Sequence, residues 1–370
     1  KWLYWPALPW TAVVAGAAIL GYQLQGIRLA LLAGIGVGYL CVFGQWEPSL
    51  ETLSFVLVCA PICFILGLGF GIWGYLNRTV EAALEPLLNC MQTLPHFSYL
   101  VPVMVLFGIG DHAGAVATII FATPPMIRLT ILGLRKISPD IVDSGLMSGC
   151  SKFQLLFRVL IPTARTDILI GVNQVIMQCL AMTTIAAFIG ARGLGFNLKV
   201  ALNSLEIGKA SEIGLCVVLI AVILDKYSLA WANKQKDYFS DLNFFQRYRP
   251  YIGFILLTLL AILLAYIGAL YFKDGINYLY YVPFDKGFTI SPFIDAGIDW
   301  FWEAFFPYLN GFNVWLITSV LVPMRDAYLG MPVISTFILV MGAGYIVGGV
   351  RSAFFVGGLI LFIALSEYWD

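Results

Sequence analysis

Polar side chains within long apolar segments are the residues of this sequence best suited to chemistry. Asn173, Gln174 and Gln178 lie in the apolar segment 165–190, and Gln174 and Gln178 share one face of a helix because they are four residues apart. Such amides either line a polar pathway or form hydrogen bonds between helices, and the sequence leaves both interpretations open. The full set of candidate pathway residues is Gln92, Thr93, Asn173, Gln174, Gln178, Thr183 and Thr184.

The residue types that usually hold metals are not grouped. Seven cysteines are spread from Cys41 to Cys216 without a C-x-x-C pair, and His96 and His112 lie far from any cysteine cluster. We therefore predict no metal site and no catalytic residue. The chain also lacks the pattern G-x-x-x-x-G-K-[ST], so it is not expected to hold ATP phosphates itself. The glycine-rich segment 190–195 is predicted to be a tight turn rather than a ligand loop.

The polar segment 139–162 lies between two apolar segments and has a composition suited to contact with another protein. Small residues come first, among them Ser144, Gly145 and Gly149, and an amphipathic stretch runs from Lys152 to Arg158. Small residues let a partner's backbone approach closely, and an amphipathic helix can enter a partner's groove. The alternative is a helix that lies against the lipid interface.

The composition indicates that lipid is the solvent for much of the chain. Of its 370 residues, 60% are hydrophobic and 11% are charged, whereas soluble domains have about 25% charged residues. The net charge is zero, which gives no indication of nucleic-acid binding. Because about 20 apolar residues cross a bilayer, we predict an all-α polytopic membrane protein of about ten transmembrane helices. The predicted spans are 8–22, 27–44, 50–76, 84–109, 113–134, 165–190, 211–231, 251–272, 331–348 and 350–366.

The basic residues predict the orientation of these helices. Lys and Arg cluster at 135–165 and at 226–249, and the positive-inside rule places both clusters in the cytoplasm. The aromatic-rich segment 273–330 is then expected to be external, with Trp, Tyr and Phe at the membrane interface. Asp111 and His112 are also predicted to be external.

An internal repeat relates the two ends of the chain. Residues 8–47 align without gaps to 331–370, an offset of 323 (331 − 8), and the alignment matches Pro, Arg, Trp and several Gly. The repeat predicts one whole membrane unit followed by the start of another.

Segment 139–162 also has a spaced pattern that resembles a known family. The residues at the relevant spacing are Asp143-Ser144-Gly145, Gly149, Val159, Ile161 and Pro162. Binding-protein-dependent ABC permeases have a cytoplasmic loop of the pattern E-A-A, three residues, Gly, nine residues, Ile, one residue, Leu-Pro. This sequence departs from the pattern with Asp for Glu and Ser-Gly for Ala-Ala. Four further segments look like the glycine betaine/proline branch of that family, namely 91–110, 123–133, 171–178 and 190–195.

The resemblance implies a type I ABC importer permease-like bundle in the bacterial inner membrane, as a multi-pass protein surrounded by lipid. It implies the permease subunit of an ATP-driven importer for glycine betaine, choline, proline or a methylamine. A cytoplasmic ATPase dimer would dock on the loop 139–162 and carry the ATP and Mg, so this chain needs no cofactor. Other expected partners are an external or periplasmic binding protein and a second permease unit, fused or separate. The implied coupling residues are Asp143, Ser144, Gly145, Gly149, Lys152, Val159, Ile161 and Pro162.

The expected domains follow from the repeat and the resemblance together. Residues 1–235 form a first permease unit with its core at 50–231, residues 236–250 a cytoplasmic linker, and residues 251–370 the start of a second unit. That second part would comprise helix 251–272, the external segment 273–330 and helices within 331–366.

Two other classes of membrane protein fit the sequence less well. An ion-coupled secondary transporter of small osmolytes would need charged residues near the bilayer midplane, and the predicted spans show almost none. A membrane-embedded enzyme would need a metal or acid–base constellation, whereas His96 stands alone.

Overall fold

The computed structural model describes residues 10–233 and 288–366, together with scattered positions between 252 and 267. The chain divides into a first unit that ends at Asp295 and a second that begins at Ala296. The predicted linker 236–250 and most of the predicted helix 251–272 lie outside the described residues.

Every regular element in the described ranges is helical. The α-helices of the first unit are α1 (Trp10–Gln25), α2 (Ile27–Val42), α3 (Trp46–Leu76), α4 (Arg78–Thr93), α5 (Leu100–Phe107), α6 (Asp111–Arg135), α7 (Pro139–Met147), α8 (Lys152–Gln154), α9 (Ile161–Thr163), α10 (Arg165–Ala186), α11 (Leu194–Asn203) and α12 (Ile207–Asn233). They are followed by α13 (Ser291–Leu316), which runs into the second unit, and by α14 (Val322–Leu329) and α15 (Val333–Leu365). Short 3-10 turns cover His96–Tyr99 and Ala187–Ile189, and π-helical turns cover Leu155–Leu160 and Ile317–Leu321.

Within the described residues, six helices are long and apolar enough to cross a membrane, and the bent pair of α4 and the helix that follows it makes seven. The helices α1 and α2 are shorter, with 16 residues each. The helix α15 is interrupted, because Gly348 and Gly349 have non-helical backbone angles. When α1 and α2 are included and α15 is counted as two helices, the number of helices in the described residues agrees broadly with the predicted ten.

The core of the first unit depends on glycines that bring α3 and α6 together. A Cβ added to Gly67 would lie 2.4 Å from the Cβ of Met126, and one added to Gly71 would lie 2.5 Å from the Cβ of Thr130. Small residues allow such close approach between membrane helices, whose association gains little from the hydrophobic effect. Gly171 of α10 packs against the sulfur end of the same Met126 side chain. The helices α3, α6 and α10 therefore meet around Met126.

The predicted span 84–109 is not straight. The chain bends by 111° between its two halves, which are α4 and the segment His96–Phe107. Pro95 lies in the break and has no N–H to continue the α4 hydrogen-bond ladder. The helix α4 packs back along α6 through Leu84 and Leu88. Gln92 and Thr93 therefore lie at a bend and not inside one continuous helix.

A hairpin of α1 and α2 packs against the core. The turn between the helices is made by Gly26, whose φ of 81° and ψ of −160° suit glycine. A Cβ added to Gly21 would lie 2.8 Å from the carbonyl oxygen of Leu29, and one added to Gly34 would lie 3.3 Å from the Cβ of Ala18. The glycines therefore set the turn and the close packing of this hairpin.

The helix α15 in the second unit is also a hairpin. Its turn residue Gly349 has φ 70° and ψ −163°. A Cβ added to Gly344 would lie 3.3 Å from the Cα of Ala353, and one added to Gly357 would lie 2.9 Å from the sulfur of Met341. Each of these positions is 323 residues after its counterpart in the first hairpin. The two hairpins thus share a turn conformation and a set of close contacts.

The described part of the predicted external segment 273–330 is largely a long helix. The stretch Ser291–Leu329 is itself one of the six helices apolar enough to cross a membrane, a length of helix that the sequence analysis did not foresee. Its beginning is attached to the start of α12, since the Gly208 N–H donates a 2.7 Å hydrogen bond to Asp295. Thr289 likewise donates to the carboxylate of Glu212.

Candidate functional site

Three of the predicted pathway residues line one cavity in the first unit. Asn173, Gln174 and Gln178 of α10 form one wall of a space of about 400 Å³. The other lining residues are His96, Phe121, Met177, Ala181 and Asp225. The cavity therefore combines amides, a carboxylate and an imidazole with one buried aromatic ring, inside helices that are otherwise apolar.

Asp225 is the charged residue of this cavity, and the sequence analysis missed it. The Asn173 side-chain N–H donates a 2.9 Å hydrogen bond to its carboxylate, which joins α10 to α12. The side-chain oxygen of Asn173 is buried and accepts no hydrogen bond within the described residues. Buried polar atoms are nearly always paired, so this oxygen is an exception among the described side chains of α10.

Two rings, those of Phe121 and His96, also line the cavity. Phe121 of α6 and His96, at the bend after α4, have ring centroids 4.3 Å apart. The bend is what brings His96 to this position. Aromatic faces attract quaternary ammonium groups, and the carboxylate of Asp225 adds negative charge, although its second oxygen lies 3.9 Å from the ammonium of Lys226. The site can thus hold a small solute with a positively charged, methylated end.

The remaining predicted pathway residues are not among those lining this cavity. Thr183 is fully buried and its hydroxyl donates to the Cys179 carbonyl. Thr184 donates to Leu180, one turn earlier on the same helix. Gln92 and Thr93 are exposed on α4, and Thr93 donates to backbone carbonyls of its own helix.

The glycine-rich segment 190–195 forms a tight turn, as predicted. Gly190 and Gly193 have φ values of 85° and 115°, where other residues are strained. A Cβ on Gly195 would lie 2.7 Å from the Cα of Thr184. The Arg192 backbone N–H donates a 2.8 Å hydrogen bond to Asp111. The turn is therefore fixed to the start of α6.

The segment 139–162 folds into a helical hairpin of its own. The helix α7 ends at a glycine cap in which Gly149, with φ 77°, donates to Leu146, and Cys150 donates to Gly145. Ser151 then starts the next helix through a reciprocal capping box with Gln154. Gly149 is needed for its backbone conformation, since a Cβ there would meet nothing within 4 Å.

Gly145 has a different role, which is to let the two arms of this loop touch. A Cβ at Gly145 would lie 2.6 Å from a methyl group of Leu155 and 3.5 Å from one of Val159. Leu156 and Leu160, in the same arm as Leu155, are buried in the main core. The two arms of the loop thus pack on each other, and the second arm also packs on the bundle. Gly145, which departs from the Ala of the family pattern, allows this packing.

The other predicted coupling residues differ in exposure. Asp143, Ser144, Lys152 and Pro162 are exposed, whereas Val159 and Ile161 are partly buried. The start of α10 is tied to the end of α6 by a 2.8 Å ion pair between Lys136 and Asp167. Movement of the loop would therefore reach both helices.

Exposed apolar side chains on this loop form a patch that the sequence analysis did not single out. Met147 is 89% exposed and Phe153 is 70% exposed. The ring of Phe157 lies 4.4 Å from that of Phe153. The amphipathic stretch 152–158 was the available signal for Phe153 and Phe157. Together, Met147, Phe153 and Phe157 are named the loop patch below.

Comparison with known proteins gives concordant results. The family of binding-protein-dependent transport system inner membrane components matches residues 63–278. The trimethylamine N-oxide transport system permease protein TmoV of Pelagibacter ubique is 57% identical over 369 residues, which are 100% of this chain and 52% of that protein. The TmoV of Ruegeria pomeroyi is 39% identical over 99% of this chain and 55% of its own length. This chain thus spans about half the length of these curated relatives.

A shorter match and a solved structure complete the comparison. The glycine betaine/proline betaine transport system permease protein ProW of Escherichia coli is 38% identical over 60% of this chain and 63% of its own length. A structure of the MetNI methionine ABC transporter in an inward-facing conformation aligns with a TM-score of 0.45 at 20% identity, over 51% of this chain and 94% of that one. The matched family covers more than half of the residues and includes both the cavity-lining helices and the loop. The chain belongs to the family of binding-protein-dependent transport system inner membrane components.

Proposed function

We propose that this chain is the permease part of an ATP-driven importer for small solutes with a methylated, positively charged nitrogen. The relatives named for trimethylamine N-oxide and for glycine betaine support this solute class. Choline and other methylamines belong to the same class, and proline, whose charged ring nitrogen has no methyl group, is included as a related compatible solute. The solute crosses the membrane along α10, through the cavity of Asn173, Gln174 and Gln178.

The observation that carries the proposal is the chemistry of this cavity. Asp225 and the ring of Phe121 line it together with the amides. A trimethylammonium group is attracted by the carboxylate and by the aromatic face. The amide N–H groups of Gln174 and Gln178 can donate to the oxygen atoms of the same solute. One small dipolar molecule could therefore satisfy both kinds of group at once.

The driving force is proposed to come from a cytoplasmic ATPase dimer that docks on the loop 139–162 and carries the ATP and Mg. The loop patch would enter a groove on the ATPase, as amphipathic helices do in other complexes. Because the two arms of the loop are packed through Gly145, a movement of the ATPase would be passed on to α10. An external binding protein would deliver the solute, and a second permease unit would complete the pathway.

An ion-coupled secondary transporter is the second candidate, and Asp225 and Glu212 are the observations that favour it. The predicted spans were expected to contain almost no charged residues, yet both carboxylates lie in α12, and Glu212 is buried. Intramembrane acids often carry protons or ions. However, Glu212 already accepts a hydrogen bond from Thr289, and the family is named for dependence on a binding protein. These two facts support the ATP-driven importer.

The experiment that tests the proposal is uptake into proteoliposomes that contain the whole permease, its ATPase and its binding protein. We expect uptake of labelled trimethylamine N-oxide or glycine betaine to require internal ATP and the binding protein, and to persist when ionophores collapse the ion gradients. Uptake that ionophores abolish and that ATP does not stimulate would favour the secondary transporter instead.

A further inference from the structure

We infer that the second hairpin, α15, has a docking face for a transmembrane helix of a second permease core on the same polypeptide. The inference rests on the proposed function, since an importer permease needs two cores around one pathway. It goes beyond that function by naming the face and the kind of helix that covers it.

The two hairpins are equivalent in backbone conformation and in their glycine contacts. Gly26 and Gly349 have nearly the same backbone angles. The contacts at Gly21 and Gly34 recur at Gly344 and Gly357. Positions 323 residues apart can therefore be compared one by one.

The first hairpin has two distinct faces. On one face, a Cβ at Gly36 would lie 2.8 Å from Ile223 of α12. Leu40, one turn further on the same face, is buried in the main core, and Tyr39 packs against it. On the opposite face Leu31 is exposed, as expected for a lipid-facing residue.

The second hairpin, in contrast, is exposed on both of the corresponding faces. Phe362, the counterpart of Tyr39, is 70% exposed, and so is Phe354, the counterpart of Leu31. Leu359 and Ile363, the counterparts of Gly36 and Leu40, are also exposed. Exposure alone would assign all of these residues to lipid. The repeat assigns Leu359, Phe362 and Ile363 to a protein partner, and we name these three the docking face.

The repeat also defines the chemistry of the partner. The matching contact in the first hairpin is made by an apolar helix, α12, which places Ile223 against Gly36. In the second hairpin the large residue, Leu359, is on the hairpin itself. The partner helix should therefore be apolar and have a small residue at the position of Ile223, so that the volume across the interface is conserved.

A second copy of this chain does not fit as the partner, because its α12 is already covered by its own α2. The partner must be a core whose equivalent of α12 is free. The two TmoV proteins extend well beyond the part that this chain matches, with 52% and 55% of their lengths covered. We therefore assign the partner helix to a second core further along the same polypeptide.

The test is photo-crosslinking in the whole natural polypeptide in membrane vesicles. One variant has Phe362→p-benzoylphenylalanine and the matched control has Phe354→p-benzoylphenylalanine. The two sites have the same residue type and the same exposure, and both replacements keep an aromatic side chain. After irradiation, mass spectrometry identifies what each site has captured.

We expect the Phe362 site to capture a peptide of the same polypeptide, from an apolar helix that follows α15, with at least five times the yield of the Phe354 site. The Phe354 site should yield mainly lipid adducts. Equal lipid capture at both sites, or capture of a separate chain at Phe362, would overturn the inference. Because crosslinking needs no solute, a polypeptide that crosslinks as expected but fails in ATP-driven uptake would overturn the proposed function alone.

Discussion

The side-chain amide of Asn173 donates a 2.9 Å hydrogen bond to the carboxylate of Asp225. This contact joins α10 to α12 in the wall of the cavity, and the other carboxylate oxygen of Asp225 lies 3.9 Å from the ammonium of Lys226. An intramembrane acid that lines a cavity is a candidate for function by default. The proposed solutes have a positively charged nitrogen, so the charge of Asp225 is the property to test first.

Replacement of Asp225 should separate the effect of its charge on uptake from the effect of its side-chain geometry. We expect Asp225→Asn to raise the KM for uptake about tenfold, or about 1.4 kcal/mol, because the attraction to the positive end of the solute is lost. The asparagine oxygen can still accept from Asn173, so the fold should be kept. Asp225→Glu, which keeps the charge, should change KM by less than about threefold. Equal effects of the two variants would show that the charge is not used.

Part of this site could be predicted from the sequence. Gln174 and Gln178 were predicted to share a face because they are four residues apart, and both line the cavity. Thr183 comes five residues after Gln178, which at 100° per residue turns it about 140° away, into the core. Asp225 was overlooked although it lies inside the predicted span 211–231, directly before Lys226, the first residue of the cytoplasmic basic cluster.

The loop and the bent span show why other features could not be predicted. A small residue such as Gly145 indicates close packing but not its partner, which turned out to be Leu155 of the same loop. The 111° bend after α4 depends on how His96 and Tyr99 pack against Phe121. Such tertiary contacts leave no periodic signal in the sequence. Glycines and periodic apolar residues, by contrast, were enough to predict the helices and the repeat.

The packing at Gly145 predicts a loss of stability when a methyl group is added. Gly145→Ala would place its Cβ 2.6 Å from Leu155, and overpacking of this kind costs about 1–3 kcal/mol. We expect a lower thermal unfolding temperature in detergent, and partial recovery when Leu155→Val is added. Ser144→Ala, at an exposed position on the same helix, is the control and should have little effect. No loss in Gly145→Ala would mean that the two arms are not tightly packed.

The backbone of Gly149 predicts a difference between two small substitutions. Gly149 has φ 77°, a conformation that costs most L-residues about 1–2 kcal/mol but that asparagine adopts more readily. Gly149→Ala should therefore lower ATP-driven uptake severalfold by distorting the turn, whereas Gly149→Asn should retain most of it. Uptake assays with equal amounts of inserted protein measure this. If alanine is tolerated as well as asparagine, the turn is not rigid.

The loop patch predicts how tightly the ATPase binds. Burial of a Met or Phe side chain contributes about 1.5–3 kcal/mol, so we expect Met147→Ser or Phe153→Ser to weaken ATPase binding about tenfold or more. Both side chains are exposed in this chain, so its own stability should be unaffected. Met147→Leu should bind almost normally. Unchanged binding of both serine variants would place the ATPase elsewhere on the protein.

State-dependent labelling of Gln178 tests the central claim, that the cavity on α10 is the pathway of an ATP-driven cycle. In a background with Cys90→Ser and Cys150→Ser, Gln178→Cys is exposed to a small water-soluble thiol reagent, with Thr183→Cys as a buried control. We predict that the labelling rate at position 178 changes at least fivefold when the partner ATPase is trapped with ATP, while position 183 stays unreactive. Equal labelling of position 178 in both states, or none in either, would contradict the account.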